Sequence, residues 1–136
     1  MKASFVAGFG PIVNDVGASR AFWGGGLGID LGEMAPDYWT NDHLEGVKAF
    51  GLWPLSQAAQ SCFGTSSWPE TLAVPQAWIE FDVDSPDAVS EAVADLEAAG
   101  FTMLTGRREE PWGQTTSHLL SPEGLLVGVT YTPWMH

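Results

Sequence analysis

The chain has 136 residues, enough for one domain with a single core or for two small half-domains sharing an interface. Apolar residues at 45% and charged residues at 16% describe a chain that folds rather than a disordered one; no apolar run reaches the length of a membrane helix. Seventeen acidic residues against five basic ones give a formal net charge of −12, which repels phosphate, argues against nucleic acid and anionic membranes as partners, and would attract a cationic ligand.

The first residues run directly into a strand-like segment without the basic, apolar and small-residue pattern of a secretory leader, so a cytoplasmic protein is expected. Phe5 to Val13 reads as a strand, with Phe5, Ala7, Phe9 and Pro11 on one face and Val6 and Ile12 on the other. Gly8 and Gly10 within it suggest that another group comes close to the backbone. Asn14 and Asp15 can cap a helix from Val16 to Trp23, which Gly24-Gly25-Gly26 should stop. Leu27 to Met34 alternates as a strand, and Tyr38 to Thr40 starts another after a turn at Pro36-Asp37. Val47 to Trp53 is a further strand. Leu55 to Phe63 suits a short helix ended by Gly64, and Thr65 to Gln76 is rich in loop residues.

The second half repeats this order. Ala77 to Val83 reads as a strand. Ser85 caps a helix with Pro86 at its first position and Asp87 in its first turn, and the apolar spacing from Ala88 to Ala99 is helical up to Gly100. Phe101 to Leu104, Thr115 to Leu120 and Leu125 to Thr132 are strands, with a turn at Ser121-Pro122-Glu123-Gly124. The expected fold is α+β: two tandem βαβββ modules forming a curved mixed sheet around a cleft. Module one covers about 1–54, the connection about 55–76 and module two about 77–136.

Several segments then resemble one family. Val13-Asn14-Asp15-Val16, the helix ending in Phe22-Trp23 and the following Leu27-Gly28 are similar to the first module of the vicinal-oxygen-chelate superfamily, which includes glyoxalases, bleomycin-resistance proteins and extradiol dioxygenases. Phe81-Asp82-Val83-Asp84 and the helix ending Leu96-Glu97-Ala98-Ala99-Gly100-Phe101 resemble the second. The most specific stretch is Pro111-Trp112-Gly113-Gln114 followed by Ser121-Pro122-Glu123-Gly124 and the apolar Leu125-Leu126-Val127. The resemblance spans nearly the whole chain. It implies, for the enzymes, a divalent metal held by a His near the start of each module's first strand and a carboxylate on each module's last strand. Here those positions fall on Gly8, Trp78 and Gly128, with the fourth near Leu52 or Trp53. Glycine has no side chain to donate, and an indole offers only an N–H donor. No metal, no cofactor and no catalytic residue is therefore expected.

Other candidate groups are weak as sequence signals. His43 and Glu45 share a face only if their segment is a strand, and a solvated loop before the strand explains them better. His118 suits a hydrogen-bonded strand residue, and His136, closing the sequence, is expected to be mobile. Cys62 is expected to be a buried apolar residue, with no basic group near it in sequence to activate it. The chain also has seven tryptophans. Trp53 and Trp78 stand at or beside the ligand positions and should point into the cleft, where aromatic walls can stack on flat ligands or hold cations. The expected ligand-binding set is Trp53, Trp78, Trp39, Trp112, Phe50, Glu80 and His118. The leading expectation is a metal-free protein that binds a small aromatic or cationic compound, such as an antibiotic, as a homodimer. The alternative is a metal-dependent lyase, isomerase or dioxygenase with displaced ligands among His43, Glu45, Glu80 and His118. A third possibility is a partner domain whose cleft is closed.

Overall fold

The alternating small and apolar residues after Ser4 form β1 (Phe5–Val13) in the computed structural model, which describes residues 1–136. Asp15 then caps α1 (Val16–Arg20), its carboxylate accepting the Ala18 N–H at 3.0 Å. The three glycines expected to stop this helix do not. Ala21–Gly26 continues as a wide turn, with Leu27 N–H on the Phe22 carbonyl at 3.0 Å, and the chain leaves only at Gly28, whose φ is +75°. The next strand is correspondingly later and shorter than expected. Leu27 to Leu31 is irregular, Ile29 and Leu31 fold back onto the core, and β2 covers Gly32–Ala35.

β3 (Tyr38–Asn41) and β4 (Phe50–Pro54) complete the first half, β4 starting three residues later than the alternation from Val47 suggests. α2 (Leu55–Phe63) follows at once and ends on Gly64, in the left-handed region at φ +73°. β5 (Ala77–Asp82) leads to α3 (Pro86–Ala98), with Ser85 accepting the Ala88 N–H at 3.1 Å. β6 (Met103–Glu109) starts beyond the expected Phe101 and runs on through Arg107 and Arg108. β7 (Thr115–Leu120) and β8 (Leu126–Thr130) close the order.

All eight strands form one open mixed sheet in the order β2-β3-β4-β1-β5-β8-β7-β6. The two halves meet within the chain, where β1 and β5 pair antiparallel, while β1–β4 and β5–β8 pair parallel. The period of two then sorts the side chains. On one face α1 covers Val13, Phe50 and Leu52, and α3 packs Val89 and Ala92 on Val83 and Val129. Fully burying a valine here contributes about 1.5–3 kcal/mol. On the other face α2 sets Ala58 and Cys62 against Ile12, Trp53, Trp78 and Leu126. The register of β1 slips between Val6 and Gly8, so Phe5 stands opposite Asp82 and Gly8 opposite Glu80. This bulge moves Phe5 onto the face of Gly8 and Gly10, not the face of Ala7 that strict alternation predicts.

Candidate functional site

The face under α2 has a floor of glycines. A Cβ on Gly8 would lie 2.6 Å from the Trp78 ring, one on Gly51 2.9 Å from the Tyr38 ring, and one on Gly128 2.7 Å from Glu80 Cγ. The side chains of neighbouring strands therefore lie directly on backbone, as Gly8 and Gly10 suggested. Trp78 is fixed by its indole N–H on the Gly51 carbonyl at 3.2 Å. Trp53 meets Trp78 edge-on at 5.6 Å between centroids and His118 at 5.8 Å. Trp53, Trp78 and His118 are all buried, so the interior of the cleft is filled by the chain's own rings and by α2.

Registers across β5, β8 and β7 place Glu80, Gly128 and His118 side by side. With no side chain on Gly128, His118 Nε2 comes within 3.4 Å of Glu80 Oε2. This is a charge contact without the aim of a hydrogen bond, and neither nitrogen of the buried ring has a hydrogen-bond partner. Burial opposes the charged imidazole, but the adjacent Cys62 sulfur and Glu80 carboxylate outweigh it and push His118 up to about 10. Tyr38 is also pushed up, first by burial and then by the negative Glu80. Glu80 accepts the Gln114 amide at 3.2 Å, and Gln114 in turn accepts the indole N–H of the exposed Trp112 at 3.0 Å. The Glu80 side chain keeps 13% of its surface open.

Further along β5, Asp82 is completely buried and accepts from Thr130, Thr132 and His136. His136 is thus docked rather than mobile.

The profile of the Glyoxalase/Bleomycin resistance protein/Dioxygenase superfamily matches residues 9–129. The chain belongs to this superfamily. The fold of this glyoxalase-type chain is similar to that of a superfamily member from Vibrio splendidus, at 15% identity over 94% of this chain and 98% of the other, with a TM-score of 0.59. It is also similar to an NAD-dependent benzaldehyde dehydrogenase from Legionella pneumophila (14% identity, 91% and 96% covered, TM-score 0.61) and to a methylmalonyl-CoA epimerase from Streptomyces coelicolor (14%, 97% and 96%, TM-score 0.57). At such identities the likeness is one of fold. No curated protein matches the sequence.

The residues at the ligand positions that the resemblance implied do not fit a metal ion. Gly8 and Gly128 offer nothing, Trp78 and Trp53 offer N–H donors only, and Leu52 faces α1. A carboxylate carried on residue 128 would need a Cβ in space Glu80 already fills. No three His, Cys, Asp or Glu side chains converge as a cage.

Of the residues expected to line the glyoxalase-type cleft, Trp53, Trp78, Glu80 and His118 come together, with Trp112 joined through Gln114. Trp39 and Phe50 are on the opposite face: Trp39 stands beside Leu52 in register under the Arg20 guanidinium at 3.5 Å, and Phe50 packs on Trp23. Phe50 is three residues from Trp53, an odd step that puts the two on opposite faces of one strand. His43 and Glu45 lie in a loop on an open surface cavity and do not join Glu80. Sequence reasoning missed Tyr38, Gln114 and Asp82. The Pro-Trp-Gly-Gln run marked Gln114 as part of a motif, but nothing in it indicated that the amide would turn inward onto Glu80.

Proposed function

We propose that the chain is a small-molecule binding protein of the glyoxalase/bleomycin-resistance type, which holds a flat cationic compound at the Glu80 mouth of the cleft without a metal. One observation carries this reading: Glu80 presents a partly open carboxylate among Tyr38, Trp78 and, through Gln114, the exposed Trp112. A carboxylate beside aromatic faces suits a planar cation, and a surface of net charge −12 draws one in. In this reading the ligand stays at the mouth, the ring of Trp112 folds over it, His118 holds Glu80 in place, and the buried Trp53 and Trp78 close the cleft behind it. Capture of an aromatic antibiotic is the use that fits. The chain works as a cytoplasmic homodimer.

Tryptophan quenching by a planar cation such as acriflavine tests this. Saturable quenching is expected, weakened at least tenfold by E80Q, which is about 1.4 kcal/mol of binding, and reduced in amplitude by W112A. Absence of saturable quenching, or an E80Q variant that binds equally well, refutes the reading and favours a closed-cleft partner domain.

The alternative, a lyase, isomerase or dioxygenase with displaced metal ligands, has only Glu80 and His118 together of the four residues it would draw on. Stoichiometric Mn, Fe, Ni or Zn held against a weak chelator and lost from H118A would establish it in place of the first.

A further inference from the structure

Asp82 is two residues beyond Glu80 on the same face of β5 and has no exposed surface. Its carboxylate accepts the Thr130 hydroxyl at 2.6 Å, the Thr132 N–H at 2.7 Å and the Thr132 hydroxyl at 2.9 Å. The remaining contact is with His136, whose Nε2 is 2.7 Å from Oδ2. The imidazole is also held by its faces and edges. Tyr131 lies against it at 4.7 Å between centroids and 33° between planes, and Phe5 at 5.2 Å and 50°. Phe5 reaches this position only because the β1 bulge turns it onto the Asp82 side.

A flat nitrogen heterocycle thus rests on two aromatic rings with its ring nitrogen on a buried carboxylate. Aromatic contact and a charge-assisted hydrogen bond are the means by which a protein holds a heteroaromatic cation. The geometry points to a binding site for an imidazole- or aminopyridine-type ligand at the Asp82 end of the cleft, which the chain's own His136 fills until such a ligand replaces it. Thr130 and Thr132 belong to or follow β8 and keep the carboxylate oriented when the imidazole leaves. His136 follows a single tight turn, Pro133–Met135, and its side chain keeps 24% of its surface exposed, so it can swing out without breaking a strand. On its other side Phe5 walls an open cavity of about 520 Å³, where the Lys48 ammonium lies over its ring at 4.4 Å. The Asp82 site does not depend on the Glu80 mouth binding anything.

Free imidazole is the probe, and H136A, which empties the place of the ring, is the variant. H136A is expected to melt roughly 3–6 °C below the wild type. Imidazole should restore most of that loss in a saturable way and shift the Phe5 and Tyr131 ring signals; in the wild type, higher imidazole should move the His136 ring signals toward those of a free side chain, and His136 signals that stay fixed at saturating imidazole overturn the replacement. D82N combined with H136A should abolish the rescue. An H136A protein that folds but shows no saturable response to imidazole overturns the proposal. H136F covers the case in which H136A does not fold, because it keeps a ring and lacks the nitrogen. A clear loss of melting temperature in H136F supports recognition by Asp82, and a melting temperature equal to the wild type overturns it.

Discussion

At Gly128 the missing side chain decides which groups can meet. A methyl there would stand 2.7 Å from Glu80 Cγ and 3.3 Å from His118 Nε2, so glycine on the strand between them lets β5 and β7 bring an acid and a base into contact. The contact has a pH signature. The folded pKa of His118, about 10, stands above the ordinary 6.5, so the stability contributed by its charge is fully present below about 6.5 and lost as pH rises through about 10. Urea midpoints should fall across that window in the wild type and stay flatter in H118N; a wild-type profile level between the two values would contradict the pairing. That Gly8, Trp78 and Gly128 carry no metal-ligating side chain is plain from the sequence, but only the resemblance marks them as the positions where ligands would stand. The sequence does not reveal the Glu80–His118 pair, since the two residues are on strands separated by a third and only the register of all three brings them together. Phe5 escapes for a related reason: a bulge shifts the phase of alternation, and composition carries no mark of it.

Among the elements, α2 covers the buried rings. Its inner residues Ala58 and Cys62 cover Trp53 and Trp78, and its last turn is fastened by one charged cluster. Arg108 donates to the Gln60 carbonyl at 2.9 Å and the Ser61 carbonyl at 3.3 Å, and its Nε is 2.9 Å from Glu110 Oε1. That carboxylate oxygen, on a side chain only 1% exposed, also accepts the hydroxyls of Ser61 and Thr116. A guanidinium at the carbonyl end of a helix suits both the dipole and the unpaired carbonyls. R108M should cost about 1.5–3 kcal/mol and speed labelling of Cys62 by a disulfide reagent more than its global unfolding rate increases. Labelling that only tracks global unfolding would mean α2 has no motion of its own. The helix limits of α2 and α3 are legible because Gly64 and Pro86 are punctuation with a steric cause and Ser85 caps through a hydrogen bond. The starts of β2, β4 and β6 are not, because apolar alternation continues into irregular segments whose side chains, such as Ile29 and Leu31, are recruited by the core instead of a ladder.

For the whole molecule, the α+β class and the repeated order of strands and helices follow from the sequence pattern. The pairing of the halves does not: the same segments could in principle be joined within one chain or between two, and the β1–β5 register within this chain decides it. The sheet that results stays open, with β2 at one edge and all four of its residues exposed. An unpaired edge strand is a ready surface for a second copy. Sedimentation should therefore give about twice the 14.6 kDa chain mass, with charge substitutions on β2 shifting it toward the monomer; a single-chain mass at micromolar concentration would remove the homodimer from the proposed function.

The central place of β1 has a consequence for how the protein is made. Both neighbours of β1, β4 and β5, follow it in the chain, and Phe5 finds its partner only at Asp82. On the ribosome, the strand at the middle of the sheet emerges long before anything can flank it on its second side, so the nascent first half carries a sticky open seam until synthesis has passed β5. Slow decoding between β4 and β5 would lengthen that exposure, and the loop-rich stretch at 64–76 is where translation speed should weigh most on the yield of folded protein.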